Sequence, residues 1–361
     1  MAQNATSRQS PSRILIVRLS SMGDVIHALP GAVMLRQAFP HATLGWLIEE
    51  RWAELLCARS APRAGARSPE RPLVDVVHSV NLKQWRRSLL SPQTVERIAA
   101  GLSDLRGHHY EVAIDLQGAA RSAILARWSG ASITYGATQP RENLASLWYT
   151  RRILTQRPHV AEQYAEIAES VIGAQRPVPD AVFPCDAGAE QAVSHRLRDA
   201  GQRHLVILNP GAGWGAKQWP AERYGLVAQA LAQRGIQSII NYGPREESLA
   251  LRAEKASHGS ARAMSFSVGE LMALTRRARL FIGGDTGPMH LAAALHIPVV
   301  ALFGPTDPAR NGPFRTKSVV LRNPASPTTL THHNEPDPGL QAISSDEVVS
   351  AALQLLGGAR D

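Results

Sequence analysis

Cysteine, aromatic residues and long apolar runs are all scarce in this chain, and each shortage removes a class of protein. Among 361 residues there are two cysteines, Cys57 and Cys185, far apart and without metal-ligand spacing. Neither a disulfide framework nor a cysteine-based metal centre is indicated. No stretch approaches the roughly 18 apolar residues that span a bilayer. Residues 1–12 are polar and lack an apolar core, so they read as a disordered leader and not as a signal peptide. The expected compartment is the cytoplasm. Aromatic residues make up 5% of the chain. The basic residues fall in small groups, Lys83 with Arg86 and Arg87, Arg151 with Arg152, and Arg276 with Arg277 and Arg279. Without aromatic interleaving or a helical DNA-binding module, no nucleic-acid partner is expected, despite a formal net charge of +9. An anionic soluble ligand or an anionic membrane surface suits that charge better.

Several motifs are missing as well. There is no Gly-x-x-x-x-Gly-Lys-Ser/Thr loop, and neither opening turn matches Gly-x-Gly-x-x-Gly, which disfavours a P-loop nucleotidase and an ordinary dinucleotide oxidoreductase. No Asp-x-Asp pair is present to hold a diphosphate through a metal. His332, His333, Glu335 and Asp337 are metal-ligand types, but they sit in a Pro-rich stretch, where an irregular surface segment is the commoner outcome. No metal and no cofactor are expected.

What is present is an ordinary globular composition, 44% hydrophobic and 19% charged, at a length comfortable for two domains. The first half alternates strand-like and helix-like segments. The apolar run at 14–17 leads through a small-residue turn into a helix at 25–39, with Pro30 in its first turns, where proline is tolerated. Strands are expected at 43–48, 74–80 and 112–116, and helices at 94–105, after 118 through Trp128, and at 160–172. Residues 59–72, rich in Arg, Pro, Gly and Ser, read as a mobile loop. Residues 173–190 read as an interdomain linker.

The second half restarts the pattern. Strands are expected at 205–208, 238–242, 280–282 and 299–303. Helices are expected at about 221–233, after 247, after 287 through Leu295, and at 345–356, with 323–339 irregular. The layout implies an α/β protein of GT-B type, two Rossmann-like domains facing a central cleft. The expected bounds are a leader at 1–12, an N-terminal Rossmann-like domain at 13–178, a C-terminal Rossmann-like domain at 190–343, and a C-terminal helix at 344–361 free to pack back on the N-terminal domain. Some nucleotide-sugar epimerases share this layout, which therefore names no activity.

The turn Ser20-Ser21-Met22-Gly23-Asp24 follows the first strand, and ligands collect at the carboxyl ends of such strands. Asp24 is thus either a carboxylate at the mouth of a cleft or a helix cap. Asn209 to Gly213 is a small-residue loop whose backbone amides can approach an anion, and Lys217 beside it can neutralise a diphosphate. Gly284-Asp285-Thr286-Gly287 joins a buried strand to a helix start that favours phosphate. Asp285 repels phosphate unless it binds amides or sugar hydroxyls, so a ligand with both a phosphate and a sugar resolves the conflict. Glu246 can bind a ribose diol or simply stabilise a helix start.

Taken together, Ser20 to His27, Asp115-Leu116-Gln117-Gly118, Arg141-Glu142 before Leu144-Ala145-Ser146-Leu147, Lys217-Gln218-Trp219-Pro220, Asp285-Thr286-Gly287 with His290, and Gly304-Pro305-Thr306-Asp307-Pro308 resemble the ADP-heptose:lipopolysaccharide heptosyltransferases. The resemblance covers nearly the whole chain, and lies towards members that place the first heptose on Kdo-lipid A. It implies an inverting, metal-independent transfer from ADP-L-glycero-β-D-manno-heptose to the Kdo of Kdo-lipid A. The enzyme would be cytoplasmic and peripheral at the inner membrane. It implies Asp24 as general base. It implies donor contacts from Ala212, Gly213, Lys217, Glu246, Phe266, Asp285, Thr286, Gly287 and His290. Acceptor contacts would come from Ser21, Met22, Gly23, Lys83, Arg86, Arg87, Gln117 and Arg121. Enteric members carry hydroxyl residues where this chain has Ala212 and Gly213, so only backbone amides serve there. A transferase or epimerase acting on another nucleotide sugar, and a non-catalytic anion-binding module, are the competing readings.

Overall fold

A computed structural model describes residues 10–87, 91–197, 205–329 and 335–357. Most of the expected leader lies outside the described residues. By internal contacts the chain divides into two units. The first comprises residues 1–20, 28–157 and 161–184; the second comprises 21–27, 158–160 and 185–361.

The first unit is built on β1 (Arg13–Val17), α1 (Met22–Ala38), β2 (Thr43–Glu49), β3 (Val76–Val80), α2 (Leu82–Arg87), α3 (Pro92–Gly107), β4 (Val112–Asp115), α4 (Ala120–Trp128), β5 (Ile133–Ala137), β6 (Arg151–Ile153) and α5 (Val160–Ile172). Its six strands are parallel, in the order β3-β2-β1-β4-β5-β6. Both faces of a parallel sheet are covered, so its central strands are continuous apolar runs; β1 is buried from Ile14 to Val17. Leu15, Val17, Leu47, Tyr110, Ala113 and Leu125 form one core cluster of this unit.

The second unit holds α6 (Ala187–Arg196), β7 (Val206–Asn209), α7 (Ala221–Ala232), β8 (Ser238–Tyr242), α8 (Glu247–Ala256), β9 (Ala261–Ser265), α9 (Val268–Arg277), β10 (Leu280–Gly284), α10 (Gly287–Ala294), β11 (Val299–Phe303), α11 (Pro308–Asn311), β12 (Ser318–Arg322), α12 (Pro338–Ala342) and α13 (Ser345–Gly357). Its parallel sheet runs β12-β11-β10-β7-β8-β9. Read from β9, this is the same strand order as in the first sheet, and it is the doubly wound order that places ligands where the winding reverses.

Four expectations are corrected. Pro30 lies well inside α1, which begins at Met22 and ends at Ala38. Its neighbours are buried apolar residues, and packing sustains the helix across the missing N–H. The segment 59–72 is tied down: Arg71, 1% exposed, donates to the carbonyls of Pro62, Ala66 and Val74. The C-terminal helix packs within the second unit. Val348, Val349, Ala351 and Ala352 of α13 join Trp219, Tyr224, Leu280 and Val300 in one apolar core, so burial of that face fixes it there. Residues 323–339 include the start of α12, where the buried Asp337 accepts bonds from Ser326 Oγ at 2.6 Å and Leu340 N at 2.7 Å. Asp337 is thereby a helix cap, while His332 and His333 lie outside the described residues.

Candidate active site

Three strand ends of the second unit converge on one polar cluster. At the end of β7, Asn209 is buried, donating through Nδ2 to Gly211 O at 3.1 Å and accepting from Asn241 Nδ2 at 2.6 Å. This pins the 209–213 loop to β8. Glu246, just before α8, accepts the Gly243 N–H at 2.8 Å. Its carboxylate lies against Gly211 so closely that a Cβ there would come within 2.1 Å of an oxygen. A side chain at 211 would therefore displace the Glu246 carboxylate, whereas a Cβ at Gly213 would meet nothing within 4 Å. The Ala212 carbonyl accepts from Gln218 Nε2 at 3.1 Å.

Lys217, at the end of a short 3-10 turn (Gly215–Lys217), donates to Asp285 Oδ2 at 2.6 Å and sits 4.4 Å from the centre of the Trp214 ring. Asp285, just past β10, is 8% exposed. Its other oxygen lies 3.1 Å from His290 Nε2. Burial by itself would raise its pKa. The His290 hydrogen bond and the Lys217 charge outweigh that and hold the carboxyl well below the usual carboxylate range. An ionised Asp285 only accepts, so His290 carries its proton on Nε2. His290 Nδ1 lies 3.1 Å from His27 Nε2. The result is a continuous row, Lys217–Asp285–His290–His27.

Residues 21–27 group with this second unit. Asp24 is the third residue of α1, and its Oδ2 accepts both the backbone N–H and the hydroxyl of Ser21 at 2.9 Å. The capping reading is thus met in reciprocal form: Asp24 reaches back to the residue before the helix. Glycine permits close approach here too. A Cβ at Gly23 would fall 2.4 Å from His290 Cδ2, and one at Gly287 would fall 2.7 Å from Met22 Cβ. Thr286 precedes α10, its hydroxyl donating to Gly284 O at 3.3 Å.

Phe266 follows the edge strand β9 and carries the Arg196 guanidinium 4.2 Å above its ring. In the first unit, Gln117 Oε1 accepts from Leu19 N at 2.9 Å, bracing the end of β1, while its Nε2 is buried with no partner among the described residues. Arg121 is exposed at the start of α4. Lys83, Arg86 and Arg87 fall in the backbone of α2, but their side chains lie outside what is described.

Sequence reasoning missed two residues. His27 stands three positions after Asp24, the spacing that puts two side chains on one helix face, and that signal was available. Thr306 is 2% exposed, and its hydroxyl has no partner among the described residues. The Gly304–Pro308 motif contains it, but its burial shows only in the structure.

Two doubly wound parallel sheets of the same strand order, the second with an acid–lysine–histidine row at its strand ends, are the sheets of a GT-B-type fold. A model of glycosyltransferase family 9 (heptosyltransferase) matches residues 99–337, and the chain belongs to this family. It is 30% identical over 319 residues to lipopolysaccharide heptosyltransferase 1 of Escherichia coli K12, covering 86% of this chain and 94% of that relative. The enzyme of the same name from Pseudomonas aeruginosa is 29% identical over 313 residues, covering 86% of this chain and 83% of the relative. Among solved structures, E. coli heptosyltransferase WaaC with ADP matches with a TM-score of 0.75 at 27% identity, over 95% of this chain and 99% of that one. The same enzyme with ADP-2-deoxy-2-fluoro heptose matches with a TM-score of 0.73. This chain is accordingly a heptosyltransferase. None of its described helices is long and apolar enough to cross a membrane.

Proposed function

We propose that the chain transfers L-glycero-D-manno-heptose from ADP-heptose to the Kdo of Kdo-lipid A, inverting the anomeric centre and using no catalytic metal. The observation that carries this reading is the Lys217–Asp285–His290 row beside the 209–213 loop. A part-buried lysine held by a strongly ionised carboxylate is a fixed positive charge, suited to a diphosphate whose negative charge grows as it leaves. Loop amides at 211–213 and the start of α10 bind the phosphates, Asp285 shares Lys217 with them, and Glu246 takes the ribose hydroxyls. The relatives bound to ADP and to a fluorinated ADP-heptose support this donor.

Asp24 removes the proton from the attacking Kdo hydroxyl. That oxygen bonds to the heptose anomeric carbon as the bond to the ADP oxygen breaks, and ADP departs with the electron pair. The two Ser21 donors orient the Asp24 carboxylate. The first unit, with Gln117, Arg121 and the basic α2 segment, takes the anionic acceptor, and the second takes the donor. A net charge of +9 suits peripheral association with the cytoplasmic face of the inner membrane, where such an acceptor resides.

The test is a donor panel with Kdo-lipid A, read by product mass. Heptose addition from ADP-heptose is expected, with Asp24→Ala nearly inactive yet still protected from thermal unfolding by the donor. Undiminished turnover in that variant sinks the base assignment. Stronger protection by UDP-sugars than by ADP-heptose sinks the donor assignment.

A further inference from the structure

A second cluster of ionisable side chains lies in the first unit, away from the carboxyl ends of its strands. His78 projects from β3, Asp104 from the last turns of α3, and His108 immediately follows that helix. One ligand atom from each falls within 4.8 Å of the others. His78 Nδ1 lies 2.8 Å from Asp104 Oδ2, and His108 Nε2 lies 3.7 Å from Asp104 Oδ1. Four residues separate Asp104 from His108, so both reach the same side of the helix end.

We propose that His78, Asp104 and His108 form a zinc site that ties the end of α3 to the edge strand β3. Two imidazoles and a carboxylate are a borderline donor set that suits zinc, with the fourth tetrahedral position left to solvent. Tetrahedral bonds of about 2.0–2.1 Å put ligand atoms roughly 3.3 Å apart, so only small side-chain movements separate the observed spacing from coordination.

Two further observations support a built site. His78 is 6% exposed, and its other ring nitrogen, Nε2, lies 2.7 Å from the Tyr110 hydroxyl. That is the outer bond that fixes a metal-binding imidazole and its tautomer. Tyr110 is itself locked, 3% exposed and packed over Gly45, where a Cβ would fall 1.9 Å from its oxygen.

Position argues for a structural role. The helix α3 runs back towards the start of β4, and Arg13, which opens β1, donates to the His108 carbonyl at 3.0 Å. The cluster therefore belongs to the amino ends of the strands, opposite to where doubly wound sheets bind substrates. The strand β3 is the outermost of its sheet, its outer side met only by a short antiparallel bridge between Ala64 and Val76, and a metal clip there would hold that edge.

The full chain, stripped with chelator and titrated with zinc ion alone, tests this by calorimetry and by metal content after gel filtration. One equivalent bound and a raised melting temperature are expected. His78 is buried, so the diagnostic variants are Asp104→Asn and His108→Ala, at positions whose side chains are 62% and 29% exposed. Each should weaken zinc binding at least about tenfold and abolish the zinc-dependent shift in melting, while leaving the metal-free melting temperature close to that of the parent. Tyr110→Phe should weaken binding by about 10–100-fold. Zinc retention unchanged in both surface variants, loss of binding only on replacing His332 and His333, or no zinc bound by the parent would each overturn the proposal.

Discussion

Asp115 and Asp285 occupy equivalent places in the two sheets, at the end of β4 in one and just past β10 in the other, yet they have become opposite kinds of acid. Both are buried, 1% and 8% exposed. Asp115 meets only neutral donors: the Tyr149 hydroxyl at 2.6 Å, the Ser122 hydroxyl at 3.0 Å, and the N–H groups of Gln117 and Gly118. Burial dominates and pushes its pKa up, although those bonds oppose the shift. Asp285 meets Lys217 and His290, and its pKa is driven down. The same strand order thus yields a brace in one unit and a charged centre in the other. What differs is the partners. The position on the fold alone does not predict chemistry.

The comparison can be broken most directly by removing each charge. Asp285→Ala leaves Lys217 part-buried without its partner, and a loss of about 3–5 kcal/mol is expected in chemical denaturation at neutral pH. Asp115→Asn keeps an acceptor for neutral donors and should cost about 1–3 kcal/mol. Equal losses would erase the distinction.

The two acids should also pull pH dependence in opposite directions. Asp285 has a folded pKa below its unfolded value of about 3.9, so its contribution is present above about pH 4 and is lost as pH falls. Asp115 has a raised folded pKa, so stability declines as pH climbs from about 4 through that value. In melting curves taken between about pH 3 and 7, Asp285→Asn should flatten the acid limb, and Asp115→Asn should remove the opposing slope. Slopes changing in the same sense would refute the assignment.

Smaller effects sharpen the contrast within each unit. Gly211→Ala forces the Glu246 carboxylate aside and should cost about 1–3 kcal/mol, with weaker thermal protection by ADP. Gly213→Ala, with open space at its Cβ, should stay within about 0.5 kcal/mol. Tyr149→Phe removes one bond to Asp115 and should cost about 1 kcal/mol, with heptosyl transfer at parental rate. A large loss of transfer in Tyr149→Phe would show that the first unit's acid is more than a brace.

Most of the core strands were legible because a parallel sheet needs continuous apolar runs, and β1, β4, β7, β10 and β11 supply them. The strands β5, β6, β9 and β12 went unseen; the edge strands Arg151–Ile153, Ala261–Ser265 and Ser318–Arg322 are largely half exposed, with at most a three-residue apolar run. Local composition also misled at 59–72, where one buried arginine turns a polar segment into an anchored loop. Nothing in its own sequence announces that three carbonyls will meet Arg71.

Sequence alone determined the strand–loop–helix alternation, the small-residue loops and the presence of Asp24, Lys217, Glu246, Asp285 and His290 at or near strand ends, because these depend on local periodicity and residue size. Tertiary structure decided which groups meet. Lys217 reaches Asp285 across 68 residues, and Tyr149 reaches Asp115 across 34. Such partners are set by strand order and register, and a buried carboxylate takes its charge from whichever side chains that order brings beside it.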